Sequence, residues 1–550
     1  MISWPLGLSI AVGALLFPRL YRRLQLSRAK HPSLGGHARM ALRVSRWLPY
    51  YKYSEGEVFH VDGAPPEVAA HRQAAFLRLG RELADRAPKT LAASAELAPQ
   101  IPDVAFVNAH RVPFQFRELA QKHLRVGSVA SATRGAEVCD LDGNWSYDLT
   151  GSYGVNLLGN DAYKAMLATA THAAEALGPI LGLYHESIAE NVTRLRQISG
   201  LDEVSFHMSG TEAVMQAVRL ARYHTRRSHI VRFTGAYHGW WDGVQAGVGN
   251  PRPAHEVYTL RDMHDATLAV LEGRRDIACV LINPLQAMTL NAAAAADSTL
   301  LGTGRSAHFD KAAYAAWLVK LRDVCTRRCI VLIFDEVFLG FRLAYGGAQE
   351  YFGVKADLVT YGKTLGGGLP VGAVCGTHAL MKRWREDSPA DICFARGTFN
   401  SHPYVMTAMR AFLRHMDTPE GRSVYADVDG LWNGRAADLN ARLEQIGVPV
   451  RIVNLTSVWT TLYTQPGRYH WMLQFYLRKH GLTVPWTGTG RYIFPHTLTE
   501  DDWQQIAARF VAATQEMAAD GWWWRDAALT KQSIQRQLAR ETLRAILRKA

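Results

Sequence analysis

The chain has 550 residues, 48% of them hydrophobic, so it is long enough for more than one domain and a large core. Its formal net charge of +13 comes from its ends: residues 1–50 hold eight Lys or Arg and no acid, and residues 525–550 hold seven Lys or Arg and two acids. A neutral body with basic ends argues against nucleic-acid binding, and it favours a membrane surface or solvated tails.

Six cysteines are scattered along the chain, without a CxxC pair or a Cys/His cluster. This spacing is typical of reduced, mostly buried thiols in a cytosolic protein. We therefore expect neither a disulfide framework nor a metal site.

An uncharged, mostly apolar run extends from Ile2 to Phe17, and Arg19, Arg22 and Arg23 follow it. Sixteen residues fall short of the roughly 20 that span a bilayer comfortably. Three interpretations stay open: a membrane anchor or interfacial helix over residues 1–23, an oligomer or core contact, and a misassigned start codon. As an anchor, the run would hold the body on the cytoplasmic side of a membrane; a soluble cytoplasmic protein is the alternative.

Residues 24–125 are predicted to form a mostly helical extension, with an amphipathic helix over Glu67–Arg86 after Pro65 and Pro66. Residues 126–200 would begin a small domain, with a hairpin over Cys139–Trp145 around an Asp-Gly-Asn turn. An alanine-rich insertion runs from Asn291 to Asp297.

Ser209, Gly210 and Thr211 stand between a predicted strand, Val204–His207, and a predicted helix, Glu212–Thr225. Free backbone N–H groups and two hydroxyls at a helix start suit a phosphate. The alternative is a simple helix cap.

A second strand, Ile230–Phe233, leads to Tyr237 and His238. The Tyr237 ring is a candidate for stacking on a cofactor ring. Ordinary packing at a strand end is the alternative.

The central signal is an apolar strand, Cys329–Val337, that carries Asp335 and Glu336, followed by Lys363 twenty-eight residues after Asp335 at the start of a glycine-rich loop. Open α/β sheets bind ligands at the carboxyl ends of their strands. A lysine that forms a Schiff base and a carboxylate that keeps a pyridine nitrogen protonated suit pyridoxal 5'-phosphate (PLP). A structural acid and a surface lysine are the alternative.

Strands and helices alternate from about residue 200 to 380, which predicts an α/β domain over residues 201–415 with a mainly parallel sheet. Residues 416–520 carry the signals of a small α+β domain. Residues 521–550 form a Trp-rich, basic amphipathic tail, suited equally to a membrane interface and to a solvated surface helix.

Seven motifs appear in the order typical of class III PLP-dependent aminotransferases, and the chain resembles especially their glutamate-1-semialdehyde aminomutase branch. The motifs are Ser209–Ala213, Gly235–Gly239, Phe334–Val337, Gly340–Arg342, Gly346–Gln349, Tyr361–Lys363 and Gly397–Thr398. The resemblance implies the fold-type I PLP fold, with a seven-stranded type of sheet in the large domain, and a homodimer with shared active sites.

The resemblance also implies residue roles. Lys363 would be the Schiff-base lysine, and Asp335 would pair with the pyridine nitrogen. The other residues that match cofactor-binding positions of the family are Ser209, Gly210, Thr211, Tyr237, His238, Val337 and Thr398, the last of which would reach the cofactor phosphate of the neighbouring subunit.

Two departures from the aminomutase pattern concern the substrate. The segment Gly127–Arg134 matches poorly the stretch whose arginine receives the substrate carboxylate, and Asn283-Pro284 replaces a Glu-Pro pair. The extension before residue 125 is instead similar to aminotransferases of polyketide and lipopeptide assembly, which act on acyl or aldehyde groups with long apolar tails.

We therefore expect a transaminase that moves an amino group from a small-molecule donor to a ketone or aldehyde, with a lipophilic substrate that an acyl carrier would be able to present. An intramolecular aminomutase is the second hypothesis, and it needs no separate amino donor. A non-catalytic, membrane-tethered scaffold is the third.

Overall fold

The computed structural model describes residues 4–245, 247–252, 255–285, 310–486 and 491–549, and side chains from residue 17 to residue 548 within these ranges. The alanine-rich insertion and most side chains of the first apolar run lie outside this description. The described residues form two compact units: unit 1 contains those within 4–45, 174–285 and 310–413, and unit 2 contains those within 46–173 and 414–549. The domain boundaries expected from the sequence stay predictions.

The α-helices account for most of the regular structure. In chain order they are α1 (Trp4–Ala29), α2 (Ala38–Trp47), α3 (Pro66–Arg86), α4 (Pro88–Leu97), α5 (Pro102–His110), α6 (Arg117–His123), α7 (Asn160–Ala174), α8 (Ser187–Ser199), α9 (Gly210–Thr225), α10 (Asp265–Gly273), α11 (Lys311–Arg328), α12 (Gly347–Phe352), α13 (His378–Met381), α14 (Pro403–Asp417), α15 (Pro419–Ser423), α16 (Val428–Gln445), α17 (Leu473–Lys479), α18 (Glu500–Ala519) and α19 (Lys531–Lys549).

The strands of unit 1 are β4 (Glu203–His207), β5 (His229–Phe233), β6 (Val257–Leu260), β7 (Ile277–Ile282), β8 (Val331–Asp335), β9 (Leu358–Gly362) and β10 (Gly372–Gly376). The strands of unit 2 are β1 (Ala132–Arg134), β2 (Glu137–Cys139), β3 (Trp145–Asp148), β11 (Val450–Leu455), β12 (Val458–Tyr463), β13 (Leu482–Thr483) and β14 (Arg491–Ile493).

Unit 1 is built on a seven-stranded sheet with the order β4-β10-β9-β8-β7-β5-β6. The strands from β9 to β6 in this order pair in parallel, and β10 pairs antiparallel with both of its neighbours, β4 and β9. Every residue of β7, β8 and β9 is buried, as expected for parallel strands covered on both faces. The predicted α/β domain with a mainly parallel sheet is confirmed.

The strand that carries the central acid is shorter than the sequence predicts. Its first observed residue is Val331, because Cys329 takes a left-handed backbone (φ 50°) and ends the preceding helix α11. The strand ends at Asp335, so Glu336 and Val337 already belong to the loop beyond the sheet. The apolar pattern alone could not separate this helix end from the strand.

Unit 2 contains two small sheets. The first has the order β1-β2-β3-β13, and the predicted hairpin is confirmed by the antiparallel pairing of Cys139 with Trp145. The second is the antiparallel sheet β11-β12-β14. Helix α3 ends at Arg86 as predicted and begins at Pro66, one residue before the predicted start at Glu67.

A buried ion pair lies in the core of unit 2, and we call its surroundings the Arg72 cluster, made of Arg72, Asp62, Tyr469 and Trp522. Arg72 is fully buried and donates from Nη1 and Nη2 to the two carboxylate oxygens of Asp62 at 2.9 and 2.8 Å. It also donates from Nε to the carbonyl of Gly521 and from Nη1 to that of Phe59. The guanidinium lies 4.5 Å from the centre of the Tyr469 ring.

The tryptophans of the tail belong to this core. Trp522 and Trp523 are 3% and 9% exposed, and the indole of Trp522 donates to the Tyr476 hydroxyl at 2.7 Å. The interpretation as membrane-interface residues is therefore wrong for Trp522 and Trp523. The sequence could not show this, because the rings that surround Trp522, Phe59 and Phe76 among them, come from the distant extension.

Helix α1 is attached to unit 1 at its carboxyl end. The side chain of Gln25 donates to the carbonyl of Ala269 on α10, and the carbonyl of the buried Ala29 accepts from the backbone N–H of Arg261. In the part of the chain that the structure describes, we find no helix with both the length and the apolar stretch that crossing a membrane requires.

Candidate active site

The candidate site begins at the carboxyl end of β8, where Asp335 is 2% exposed. Its Oδ2 atom lies 2.7 Å from Nδ1 of the buried His238. Its Oδ1 atom accepts from the Thr360 hydroxyl at 3.3 Å and from the backbone N–H of Val337 at 3.2 Å. Both carboxylate oxygens are therefore held by hydrogen bonds, which fixes the direction of the negative charge.

The sheet register explains why Thr360 meets Asp335. The strands β8 and β9 run in parallel, and Asp335 and Thr360 are direct partners in their ladder. Sequence reasoning did not single out Thr360. The only signal for it is its place on the strand that leads to Lys363.

Lys363 follows β9 directly and begins a 3₁₀ turn, Lys363–Gly366, with a left-handed backbone (φ 51°). Such a conformation costs a non-glycine residue of order 1 kcal/mol or more and is found at functional positions. Burial lowers the pKa of the Lys363 amine; nearby Asp335 raises it, and Arg342 lowers it further. The amine is therefore neutral more often than an exposed lysine at the same pH.

Two glycines allow close approaches around the start of α9. A Cβ on Gly210 would lie 2.4 Å from a methyl carbon of Val337. A Cβ on Gly239, where φ is +87°, would lie 2.6 Å from the hydroxyl oxygen of Thr211. The structure thus brings the two predicted loops, at residues 209–211 and 237–239, against the end of β8.

Ser209 caps helix α9. Its hydroxyl accepts from the backbone N–H of Glu212 at 3.2 Å, and the Glu212 carboxylate accepts from the backbone N–H of Met208 at 2.9 Å. The cap and the phosphate interpretations are compatible, because the first N–H groups of a 16-residue helix still lack helical partners and lie at the positive end of its dipole.

The remaining predicted residues lie at the surface of the chain. The Tyr237 side chain is 62% exposed, and burial and then Asp335 raise its pKa, so its hydroxyl is within electrostatic range of the acid. Thr398 lies in an exposed turn of unit 1. Its predicted role concerns a neighbouring subunit and stays a prediction.

Glu336 is a second buried acid for which the sequence predicted no role. It is 1% exposed, its Oε2 accepts from the backbone N–H of Ala348 at 2.6 Å, and burial raises its pKa to about 8. A Cβ on Gly347 would lie 2.0 Å from the same oxygen, so the chain wraps closely around this carboxyl group. Of these two neighbouring acids, Glu336 is therefore the one in which burial favours the protonated form.

A comparison with protein families decides the identity of this arrangement. The family model of the class III aminotransferases matches residues 119–513. The chain belongs to the class III aminotransferases. As in other members, its fold is the fold-type I PLP fold, and its cofactor is PLP.

Relatives and solved structures support this membership. The chain is 30% identical over 381 residues to a glutamate-1-semialdehyde 2,1-aminomutase of Hydrogenobaculum sp., covering 63% of this chain and 83% of that protein. An omega-transaminase from Sphaerobacter thermophilus superposes with a TM-score of 0.60 at 27% identity, covering 71% and 91% of the two chains. A glutamate-1-semialdehyde aminomutase from Pseudomonas aeruginosa PAO1 shares the fold, with a TM-score of 0.64 at 19% identity over 82% and 99%.

The residues of this class III aminotransferase fit PLP. An acid with a fixed carboxylate, a lysine with a lowered pKa, a glycine-lined helix start and an exposed tyrosine ring are the four groups such a cofactor requires. In addition, the buried Nε2 of His238 has no hydrogen-bond partner among the described residues, as expected of a polar atom that faces a ligand. Members of the family act on small molecules and are generally dimeric. Membership supports the hypothesis that this chain is an enzyme over the hypothesis that it is a scaffold.

Proposed function

We propose that this class III aminotransferase is a transaminase, which moves an amino group from a small-molecule donor to a ketone or an aldehyde. The observation that carries the proposal is that Asp335 and Lys363 lie at the carboxyl ends of two neighbouring parallel strands. Asp335 ends β8 with both oxygens held, and Lys363, with its lowered pKa, follows β9.

Lys363 would attach the cofactor through its amine and, once released by the amino donor, would carry a proton to and from the substrate carbon. Its lowered pKa supports this role, because a neutral amine is required both to attach and to accept a proton. PLP, when bound, supplies the electron sink of the reaction.

Asp335 would face the pyridine nitrogen and keep it protonated. His238 and Thr360 would hold the carboxylate in that orientation, since each bonds a different oxygen. Two side chains would contact the ring: Val337 beneath it, and Tyr237 by stacking.

The cofactor phosphate would bind at the start of α9. Gly210 and Thr211 would offer backbone N–H groups and a hydroxyl, and Ser209 would keep the helix end open for them through its cap. Thr398 would reach the phosphate of the other subunit in a homodimer with shared active sites.

For the substrate, we propose a lipophilic or acyl-type carbonyl compound, delivered from a membrane or by an acyl carrier. Arg134, in the segment that departs from the aminomutase pattern, is already engaged: it bonds Glu137 at 2.7 Å, and its guanidinium lies 4.1 Å from the centre of the Trp145 ring. With its Nε and its ring-facing side engaged, this arginine is less available to a substrate carboxylate.

An intramolecular aminomutase is the second candidate, favoured by the names of relatives such as the Hydrogenobaculum protein. The two candidates differ in one requirement. A transaminase needs a separate amino donor and shows ping-pong kinetics, and a mutase turns over without a donor.

The test of the proposal is the Lys363→Ala variant. We expect turnover to fall by at least about 10³-fold and the visible absorbance of the covalently attached cofactor to disappear. The matched control is Lys355→Ala, at an exposed lysine of the same unit, which should leave both unchanged. Retained turnover in the Lys363 variant would overturn the assignment.

A screen of amines and amino acids against the purified yellow enzyme then separates the candidates. A donor that bleaches the visible band, followed by recovery on adding a lipophilic aldehyde or ketone, supports transamination. Turnover of a single substrate with no donor present supports the mutase instead.

A further inference from the structure

An apolar stripe without intramolecular cover runs along helix α1. Phe17, Leu20, Tyr21 and Leu24 are 70%, 62%, 58% and 50% exposed. Their spacing of three, one and three residues places them on one face of the helix, and the rings of Phe17 and Tyr21 stack. Single exposed apolar residues are ordinary, but a contiguous row of four marks an interaction surface.

The helix that carries the stripe is held by contacts at its carboxyl end. Gln25 donates to the carbonyl of Ala269 at 2.9 Å, and the Ala29 carbonyl accepts from the backbone N–H of Arg261, also at 2.9 Å. These contacts join α1 to the rest of unit 1 and hold its carboxyl end in place while the four apolar side chains stay exposed.

The segment that carries the stripe is strongly basic, with the arginines of α1 on its polar face. Arg19, Arg22 and Arg23 on α1 are exposed, and so are Arg39 and Arg43 on the neighbouring helix α2. The first acid of the chain is Glu55. We call the four apolar residues and these five arginines the amino-terminal surface.

We propose that the amino-terminal surface docks on a bilayer that contains anionic phospholipids. The apolar side chains would enter the headgroup region, and the arginines would bind lipid phosphates. Either contribution alone binds weakly, and the two together give stable attachment, as with other dual signals. The inference does not rest on the proposed transamination, because it uses no residue of the active site.

A second copy of this chain is a less suitable occupant of the same surface. A two-fold interface through the stripe would bring two copies of this basic segment near each other. With no acid before Glu55, the segment itself offers nothing to compensate the repulsion between their like charges. An anionic lipid surface has the complementary charge.

The experiment is co-sedimentation of the purified full-length protein with vesicles of phosphatidylcholine alone or of phosphatidylcholine mixed with phosphatidylglycerol. We expect the protein to sediment with the mixed vesicles, to remain mostly in solution with phosphatidylcholine alone, and to be released by added salt. Arg19→Gln/Arg22→Gln/Arg23→Gln should weaken binding to the mixed vesicles on the order of a hundredfold.

A second variant tests the stripe, with Phe17, Leu20, Tyr21 and Leu24 each changed to Ser. It should lose at least about tenfold in vesicle binding, since removing apolar area removes its transfer free energy. The control is Leu543→Ser/Leu547→Ser, at two residues of the basic helix α19 that are 56% and 68% exposed, and it should bind like the parent. Bound PLP absorbance checks that each variant is folded.

Three results would overturn the inference: no sedimentation of the parent with mixed vesicles, undiminished binding of the stripe variant, or equal loss in the α19 control. Light scattering, which measures the mass of the oligomer, tests whether a second copy of the chain occupies the surface instead. If the stripe variant forms a smaller oligomer than the parent while vesicle binding is unchanged, the surface joins copies of the chain.

Discussion

Two buried charged clusters of this protein differ in how many of their buried polar atoms have hydrogen-bond partners within the protein. In the Arg72 cluster of unit 2, the guanidinium makes four hydrogen bonds, two of them to a buried carboxylate. In the cluster of unit 1 made of Asp335, His238, Thr360 and Lys363, the carboxylate is equally well held, but the buried Nε2 of His238 has no protein partner among the described residues. A cluster that completes its own bonds serves stability, and one that keeps a buried polar atom available serves a ligand.

The largest expected effect is on stability, at the Arg72 cluster. Arg72→Met should lower the free energy of unfolding by about 3–5 kcal/mol, because it leaves the buried Asp62 charge without a partner. Chemical denaturation measures the loss. Adding Asp62→Leu should recover part of it, and turnover per folded molecule should change little in either variant. A large fall in turnover of the folded Arg72 variant would contradict the inference that the Arg72 cluster serves stability alone.

At the cluster of Asp335, His238, Thr360 and Lys363, Asp335→Asn should lower activity and leave stability nearly unchanged. Removing the charge while keeping the shape should reduce kcat by roughly 10²–10³-fold, since the ring nitrogen loses its stabilising anion. The free energy of unfolding should change by no more than about 1 kcal/mol. Steady-state kinetics and denaturation of the same preparation provide both numbers. A folded variant with unchanged kcat, or a variant that loses much stability, would contradict the assignment.

Glu336, which neighbours Asp335, should make the free energy of unfolding depend on pH. Its pKa is raised to about 8 from a usual value of 4.5, so the folded protein holds a proton that the unfolded chain releases between these values. Stability should therefore fall as pH rises from about 4.5 to about 8, by as much as a few kcal/mol. Glu336→Gln carries no such proton, and its unfolding free energy should show a smaller fall over this range than the parent. Parallel pH profiles for the two proteins would exclude an ionising Glu336.

The smallest effect is expected at Thr360. Thr360→Val removes one hydrogen bond to Asp335 and should reduce kcat by about tenfold or less, corresponding to about 1 kcal/mol. Thr360→Ser keeps a hydroxyl and should restore most of the activity. If the Ser variant were as impaired as the Val variant, packing rather than the hydrogen bond would be responsible.

The sequence predicts the site better than it predicts the ends of the chain. Asp335, Lys363 and the loops at residues 209–211 and 237–239 follow strands whose apolar runs are local, and parallel strands deliver their carboxyl ends to one edge. The partnership of Thr360 with Asp335 depends on sheet register, which a local pattern does not contain.

The tail illustrates the opposite case. Trp522 is buried by residues more than four hundred positions earlier, so the composition of the tail could not show that this tryptophan lies in a core. The attachment of α1 to α10 is equally non-local, since Gln25 and Ala269 are 244 positions apart. Long-range packing, rather than any local propensity, decides which apolar residues of the termini stay exposed.

The ladder between β8 and β9 has a consequence for how such a chain can diverge. Adjacent strands are held about 4.8 Å apart by their backbone bonds, whatever connects them. The spacing of the strand ends that carry Asp335 and lead to Lys363 is thus set by the sheet and not by the loop and helix that join residues 335 and 363. Insertions or deletions in that connection would be able to reshape access to the site for new substrates, while the chemistry at the strand ends keeps its spacing.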